Sequence, residues 1–247
     1  MDKKARLGKD VSVGPFTVIE DDVEIGDGSS VGSHALIAAG ARIGKNCQIH
    51  TGTVVATLPQ DLKFGGEKTT FELGDNCVVR EFCTLNRGTT QHGKSETGPN
   101  CLFMAYVHVA HDCIIGKNVI LANGVQLGGH VKIEDWVIVG GMTPIHQFCR
   151  VGQHAMVGGA YRAVQDVPPY TLVSGEPLRY HGLNSIGLRR RGFKVNTLTR
   201  LKAAYRLIYR SKLNLTQALE RIKAEVEMIP EVKYVIEFIE SSERGII

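Results

Sequence analysis

The amino-acid sequence predicts a mainly β fold, a parallel β-helix of hexapeptide repeats followed by a C-terminal α-helical domain. Aliphatic residues recur every six positions, and a second small or β-branched residue follows each of them by four positions. The period ends where helical patterns begin. A period of six fits neither the 3.6-residue turn of an α-helix nor the two-residue alternation of a simple sheet. It fits short strands separated by tight turns, repeated along the chain.

The aliphatic phase covers most of the chain before residue 161. Its members are Leu7, Val13, Ile19, Ile25, Val31, Ile37, Ile43, Ile49, Val55, Leu73, Val79, Leu85, Val109, Ile115, Leu121, Leu127, Ile133, Val139, Ile145, Val151 and Val157. The residue four positions later is smaller, as in Val11, Thr17, Val23, Ser29, Ala35, Ala41, Val119, Val125, Val131 and Val137. One large and one small inward residue per hexad let three hexads close a triangular coil. Each coil then covers the backbone hydrogen-bonding groups of its neighbour.

The cysteines follow the same register. All of them fall four positions after a site of the hexad phase: Cys47, Cys77, Cys83, Cys101, Cys113 and Cys149. Cysteines of disulfides or zinc sites would cluster by ligand spacing instead. We therefore predict that they fill the core as reduced thiols.

Two interruptions and one composition change predict the domain organisation. Residues 1–182 form the β-helix, with loop insertions near 56–72 and 91–96, and residues 183–247 form a helical domain. Insertions in a solenoid tend to lie on its working face. In the helical domain, polar caps are expected within 195–198, and Asn214 and Pro230 are expected to mark the starts of two further helices.

Composition excludes several classes of protein. The chain has 247 residues, of which 22% are charged and 43% hydrophobic, with a formal net charge of +4. This is ordinary globular material, and the mild charge does not indicate nucleic-acid binding. No apolar run reaches the roughly 20 residues that span a bilayer, and the start MDKKARLGKD lacks the apolar core of a secretory signal. We expect a cytoplasmic protein without membrane insertion.

Four histidines are candidates for chemistry. In the hexad register His108, His111, His130 and His146 all avoid the inward positions, so they are expected to project outward. His111 and His130 are 19 residues apart, which makes them neighbours on adjacent coils. Asp112 adds a carboxylate to this patch.

The residues alone leave several chemistries open for the patch. Imidazoles from adjacent coils or subunits could bind zinc, as in the trimeric β-helical carbonic anhydrases, whose metal needs three histidines and an open ligand position. Alternatively, one histidine could act as a general base, since an imidazole pKa of about 6.5 suits proton abstraction near neutral pH. A non-catalytic scaffold, with surface histidines of no special role, is the third possibility.

Longer motifs resemble one family. HVAHDC, NVILANGVQLGGHV, GGMTPIHQFC, VQDVPPY and GLRRRGF occur in that order, with PQDLKFGGE in the first loop and AYRLIYRS in the tail. Together they resemble the UDP-N-acetylglucosamine O-acyltransferases, which carry out the first step of lipid A synthesis. The resemblance implies a left-handed coil and a homotrimer whose active sites lie between subunits. It also implies a long 3-hydroxyacyl donor carried on the phosphopantetheine of acyl carrier protein, with no other cofactor and no metal.

The resemblance assigns catalytic roles residue by residue. His111 matches the general base that takes the proton of the glucosamine 3-hydroxyl, and Asp112 matches the residue that orients this histidine. Gly129 matches the position whose N–H stabilises the oxyanion, where glycine allows close approach of the thioester.

The same resemblance assigns binding roles. The residues matched to substrate contacts are Asp61, Lys63, His108, His130, His146, Gln147, Asn184 and Arg190. Gly159 matches the position that limits acyl length, and a glycine there implies room for a long chain. Ile186 departs from the best-known members of the family, which carry an acidic residue near the nucleotide at that position.

Related activities remain as alternatives to O-acylation. One is acyl transfer to a UDP 3-amino sugar, although Lys63 favours the hydroxyl substrate. Another is the zinc-dependent, carbonic-anhydrase-like β-helix, against which the RRRGF tail argues because that chemistry needs no nucleotide clamp. The related N-acyltransferases carry an additional domain before their β-helix, whereas here the hexads begin at Leu7.

Overall fold

The computed structural model describes residues 1–247 and contains 25 short strands followed by four helices. The strands form three sheets, the faces of a triangular prism. The first sheet contains β1 (Arg6–Leu7), β4 (Glu24–Ile25), β7 (Ala41–Ile43), β10 (Thr70–Leu73), β13 (Lys94–Thr97), β16 (Ile114–Ile115), β19 (Lys132–Ile133) and β22 (Arg150–Val151). The second contains β2 (Ser12–Val13), β5 (Ser30–Val31), β8 (Gln48–Ile49), β11 (Val78–Val79), β14 (Leu102–Phe103), β17 (Ile120–Leu121), β20 (Ile138–Val139), β23 (Met156–Val157), β24 (Thr171–Ser174) and β25 (Arg179–Leu183). The third contains β3 (Val18–Ile19), β6 (Leu36–Ile37), β9 (Val54–Thr57), β12 (Thr84–Asn86), β15 (His108–Val109), β18 (Gln126–Leu127) and β21 (Pro144–Ile145).

From β1 to β20, each strand pairs in parallel with the strand three places further along the chain, which defines one coil of the β-helix. Contacts between adjacent coils join residues 18 apart in regular coils, 30 apart across the first loop and 24 apart across the second. The loops cover 58–69 and 87–93. Both loops end earlier than the predicted 56–72 and 91–96, because strand pairing resumes at Thr70 and Lys94. Phe71 and Ser95 are already buried, two residues before the next hexad positions at 73 and 97.

The inward residues form one continuous core of 41 buried residues. The large aliphatic side chains of successive coils stack on one another, and the smaller residues fill the corners. All six cysteines are free thiols inside this core, as the register predicted. Burial raises the pKa of the Cys113 thiol to about 12, so it is protonated at neutral pH.

The β-helix ends in a hairpin that hexad reasoning missed. β24 pairs in parallel with β23 and then in antiparallel fashion with β25, which continues the second sheet by two strands. Four helices follow: α1 (Ser185–Arg190), α2 (Val195–Arg210), α3 (Leu215–Glu225) and α4 (Pro230–Glu240). They bury a second core of 16 residues.

The helix starts agree with the prediction at two of three places. Asn214 forms a capping box with Gln217 at the start of α3, and Pro230 is the first residue of α4. The polar caps expected within 195–198 are not formed. The cap position of α2 is Lys194, which makes no side-chain capping bond, because the helix already includes Val195 and its successors.

A hydrogen bond and a cation–π contact join the helices to the last coils of the β-helix. Tyr205 donates its hydroxyl hydrogen to the Pro169 carbonyl at 2.6 Å, and Arg150 lies over the Phe238 ring at 4.2 Å. The helical segment therefore packs beside the β-helix near its C-terminal end. The division of the chain into domains at residue 183 stays a prediction. None of the four helices combines the length and apolar character needed to cross a bilayer.

Candidate active site

Most of the predicted catalytic residues lie on one edge of the prism. We name it the His111 edge: the turns that lead from each third-sheet strand to the next first-sheet strand. His111 and Asp112 lie between β15 and β16, and Gly129 and His130 lie one coil further on, between β18 and β19. The coil spacing places them directly above one another, since the His130 N–H donates to the His111 carbonyl at 3.0 Å.

Both loop insertions emerge at this same edge. The first loop, 58–69, connects β9 to β10, and the second, 87–93, connects β12 to β13. Each of them therefore replaces a tight turn of the His111 edge on an earlier coil. The insertions therefore share an edge with the residues predicted to carry the chemistry; that this edge is the working face stays a prediction.

His111 and Asp112 form a hydrogen-bonded pair. The His111 Nδ1 lies 2.8 Å from the Asp112 Oδ2, and Asp112 is only 1% exposed. Asp112 also accepts hydrogen bonds from the Thr89 N–H at 2.9 Å and from the Thr89 hydroxyl at 2.7 Å. Because an ionised carboxylate only accepts hydrogen bonds, Nδ1 carries the ring hydrogen. Nε2 is then left with a free lone pair, as a general base requires.

Hydrogen bonding keeps Asp112 ionised despite its burial. Burial alone would raise its pKa, but the bonds from His111 and Thr89 together outweigh that effect and lower the pKa below its usual value. The charge of Asp112 is therefore present at neutral pH. It faces the edge of the His111 ring, where a negative charge stabilises an imidazolium.

His130 and His108 flank the pair as neutral imidazoles. Burial lowers the pKa of both, and in His130 the nearby His111 and His92 act in the same direction against Asp112 and Asp61. His108 Nδ1 lies 2.7 Å from the Thr84 hydroxyl. The His130 Nδ1 is buried and has no partner within the chain. A neutral histidine with an unpaired nitrogen suits hydrogen bonding to a polar ligand.

Turn geometry sets the orientation of these rings. Asp112, His130 and Phe148 occupy the same turn position on successive coils, with φ of 58°, 62° and 64°. This left-handed conformation costs a non-glycine residue roughly 1–2 kcal/mol, which hydrogen bonds between coils offset. The His130 ring stacks on Phe148 with centroids 4.5 Å apart, and its edge meets the His111 ring at 5.0 Å.

Gly129 lies against the imidazole of His111. A Cβ at this position would come 2.7 Å from the His111 Nε2 and 2.6 Å from its Cε1, so only glycine leaves the ring in place. Its N–H donates to no carbonyl of the chain. A free backbone donor beside the basic nitrogen is the arrangement expected of an oxyanion site.

The donor atoms of His111, Asp112 and His130 lie within 4.8 Å of one another, a spacing that a metal ion could bridge. However, both carboxylate oxygens of Asp112 already accept hydrogen bonds. A zinc lyase of the kind considered above also needs three histidines. The arrangement therefore fits a hydrogen-bonded base better than a metal centre.

Three residues of the edge were not among the predicted site residues: Thr89, His92 and Phe148. Thr89 and His92 lie in the second loop, outside the hexad register, so spacing could not place them. The His92 ring lies 5.7 Å from His130. Phe148 was detectable, because it occupies the turn position 18 residues after His130.

Comparisons with known proteins agree with the motifs. A family model for UDP N-acetylglucosamine O-acyltransferase, domain 2, matches residues 166–247, and the bacterial transferase hexapeptide model matches 4–39 and 94–129. The acyl-[acyl-carrier-protein]–UDP-N-acetylglucosamine O-acyltransferases of Thiobacillus denitrificans and Thermodesulfovibrio yellowstonii are each 44% identical over 98% of this chain and 95% of their own.

The chain belongs to this O-acyltransferase family. Among solved structures, the UDP-N-acetylglucosamine acyltransferase LpxA of Bacteroides fragilis is 44% identical, with a TM-score of 0.98 over 100% of this chain and 97% of its own. LpxA of Acinetobacter baumannii is 42% identical, with a TM-score of 0.96 over 100% and 96%. The predicted fold, a left-handed parallel β-helix followed by helices, is confirmed.

Four of the predicted binding residues lie on the His111 edge: Asp61 and Lys63 in the first loop, and His146 and Gln147 one coil after His130. The charge of the Asp61 carboxylate partly opposes the lowering of the His130 pKa. The Asp61 Oδ1 accepts a hydrogen bond from the Lys63 N–H at 3.0 Å. His146 and Gln147 are exposed turn residues on the coil after His130. The His146 Nδ1 lies 3.2 Å from the Arg244 guanidinium.

The remaining predicted residues of the O-acyltransferase lie on the other two edges. Asn184 caps α1, accepts from the Gly187 N–H and donates to the His154 carbonyl, so it is only 5% exposed and belongs to the edge between the first and second sheets. Arg190 is exposed at the end of α1. Gly159 lies in an exposed turn between the second and third sheets. A single chain therefore does not bring these three residues to His111.

Proposed function

We propose that this chain transfers an acyl group from acyl carrier protein to UDP-N-acetylglucosamine, the first step of lipid A synthesis. Membership of the O-acyltransferase family supports the reaction class. The observation that carries the mechanism is the His111 Nδ1 to Asp112 Oδ2 bond of 2.8 Å, with the Gly129 backbone against the opposite edge of the ring.

His111 is the proposed general base. Its Nε2 takes the proton of the glucosamine 3-hydroxyl while that oxygen attacks the thioester carbon, and the charge of Asp112 stabilises the imidazolium. The tetrahedral oxyanion accepts a hydrogen bond from the Gly129 N–H. Collapse of this intermediate breaks the carbon–sulfur bond, and the thiolate of phosphopantetheine takes the proton back from His111. No acyl-enzyme forms, so the buried cysteines take no part.

The neutral histidines are proposed to hold the sugar. His130 offers the unpaired Nδ1, and His108 is fixed by Thr84. Asp61 and Lys63 reach the same edge from the first loop, and His146 and Gln147 extend the cleft by one coil. Neutral rings suit this task because they bind hydroxyl and amide groups without adding a competing proton donor of low pKa.

We propose a homotrimer with sites between subunits. This assembly would bring Asn184, Arg190 and Gly159 of one chain to the His111 edge of another. Arg190 then meets the diphosphate, for which a guanidinium provides bidentate hydrogen bonds. Asn184 keeps one Nδ2 hydrogen beyond its bond to His154.

Gly159 is proposed to leave space for a long 3-hydroxyacyl chain. It is exposed, and a Cβ there would lie 3.0 Å from the Gly141 carbonyl oxygen of the preceding coil. Any side chain at this position would therefore crowd the preceding coil or extend into the space proposed for the acyl chain. Either effect would shorten the acyl chain that is accepted.

The test is identification of the product. The wild type is incubated with 3-hydroxytetradecanoyl acyl carrier protein and either UDP-N-acetylglucosamine or the corresponding UDP 3-amino sugar. An ester at the 3-oxygen, seen by NMR, is the expected result. Amide formation with the amino sugar alone would instead establish the N-acylating alternative, and no product with either acceptor would contradict the proposed substrate class.

A further inference from the structure

The second loop holds the catalytic carboxylate at two points. Thr89 donates its N–H to the Asp112 Oδ1 at 2.9 Å and its hydroxyl hydrogen to Oδ2 at 2.7 Å. These two bonds span both oxygens, so they fix the plane of the carboxylate as well as its position. The Thr89 residue is itself only 7% exposed.

We propose that Thr89 is a positioning residue of the catalytic pair, one that acts through Asp112 to aim the carboxylate at the His111 Nδ1. The proposal rests on the proposed function of His111 and adds a residue to it. Thr89 makes no hydrogen bond to His111, and its hydroxyl shares the Asp112 Oδ2 with the His111 Nδ1.

The loop is built to present this one side chain. The Thr89 carbonyl accepts from the Gly93 N–H at 2.7 Å, and its hydroxyl oxygen accepts from the Gln91 N–H at 3.3 Å. The Gly88 N–H donates to the Thr70 carbonyl, which anchors the loop to β10. The second loop is therefore fastened to the coil on one side and to Asp112 on the other.

A threonine suits the task for two reasons. Its branched Cβ restricts the hydroxyl to few rotamers, and its hydroxyl donates one hydrogen bond while accepting another. Valine at the same position keeps the shape and the backbone N–H but loses the hydroxyl. Serine keeps the hydroxyl and loses only a methyl group.

Other charged groups around Asp112 must be kept constant in a pH experiment. His111 and His130 face it directly, the latter with its Nε2 3.8 Å from Oδ2. The adjoining cavity of about 280 Å³ reaches further titratable or charged side chains: His92, Lys132, Arg150, Asp166 and Glu243. Substitution of Thr89 by valine or serine leaves all of them in place.

The experiment compares Thr89→Val, Thr89→Ser and the matched control Thr90→Val, whose side chain is exposed and makes no hydrogen bond in the chain. For Thr89→Val we expect kcat to fall about tenfold, as for loss of one charge-assisted hydrogen bond, with unchanged KM. The acid limb of the pH profile should also move to higher pH, because Asp112 loses a bond that favours its anion. Thr89→Ser and Thr90→Val should match the wild type.

Three results would overturn the proposal. The first is a fully active Thr89→Val with an unchanged pH profile. The second is an equal loss in Thr89→Ser, and the third is a loss explained by a lower melting temperature shared with Thr90→Val. His111→Ala, assayed alongside, separates the two claims: if it is inactive while Thr89→Val is fully active, only the positioning role fails.

A readout that does not need turnover keeps the claim testable if the proposed substrate proves wrong. In protein labelled with ¹⁵N-histidine, the Nδ1–H of His111 is observed by NMR as pH is lowered. This signal should report protonation of Asp112 at a higher pH in Thr89→Val than in the wild type, and at the wild-type pH in Thr90→Val. Identical titrations in all variants would contradict the positioning role.

Discussion

Asp112 shows how a buried charge is kept in this fold. It has 1% exposure, yet its carboxylate accepts hydrogen bonds from His111 and from two donors of Thr89. A buried carboxylate without such partners would take up a proton, because desolvation penalises the charged form. The same bonds that keep it ionised also fix the ring of His111, so charge and orientation have one structural origin.

The close contact between Gly129 and His111 predicts the effect of one methyl group. In Gly129→Ala the new Cβ would come 2.7 Å from Nε2 and displace the ring. A misplacement of this kind costs about 10²-fold in kcat. Gly65→Ala is the matched control, since its Cβ would meet only Glu67 Oε2 at 3.4 Å. A Gly129→Ala enzyme with wild-type kcat would show that the ring does not need its present position.

At the scale of elements, the turn residues of adjacent coils form stacks that also join the β-helix to the helices. His154 stacks between Trp136 and Tyr170, and Arg191, which follows α1, contacts both His154 and Trp136. Burial and then the charge of Arg191 lower the pKa of His154 to about 4. His154 therefore stays neutral at neutral pH, and the junction depends on that neutrality.

This junction predicts a pH dependence of stability. Because the folded-state pKa of His154 is lower than the unfolded value of about 6.5, its contribution is complete above about pH 6.5 and is lost as pH falls towards 4. In His154→Phe, which keeps an aromatic ring, urea unfolding should give a flatter dependence over this range. His181→Gln, at an exposed histidine of β25, should leave the wild-type slope unchanged.

The elements that sequence could predict share one property, a burial requirement that repeats on every coil. Ile37 and Leu121 are buried because they occupy the large inward position of their hexads, and the cysteines are buried because they occupy the small inward position. The hairpin of β24 and β25 was missed because it continues the second sheet without a hexad. Thr89 was missed because it lies in a loop without hexad repeats. Its separation from Asp112 along the chain therefore does not indicate that the two residues are in contact. The link between His111 and His130 was predicted, since it follows from the coil length alone.

At the scale of the whole molecule, the predicted site residues occupy all three edges of the prism. The His111 edge holds the proposed catalytic pair, whereas Arg190 and Gly159 lie towards the other two edges. The three edges of one chain cannot approach one another, because the hydrophobic core fills the interior of the prism between them. A complete site of the proposed composition therefore requires a second copy of the chain.

Mixing of inactive subunits tests this requirement. His111→Ala and Arg190→Ala are each expected to be nearly inactive alone. When equal amounts are unfolded and reassembled together, sites that combine the intact His111 of one chain with the intact Arg190 of its neighbour should restore about a quarter of the wild-type activity. If the mixture stays inactive although mixed oligomers form, each site is built from one chain.

The central claim is that His111, held by Asp112, is the base for acyl transfer. The most direct measurement is the rate of acylation of UDP-N-acetylglucosamine by 3-hydroxytetradecanoyl acyl carrier protein, for the wild type and His111→Ala, with and without a metal chelator. We predict a fall of at least about 10²-fold in the variant and no effect of the chelator on the wild type. A variant that keeps the wild-type rate, or a wild type that the chelator inactivates, would contradict the account.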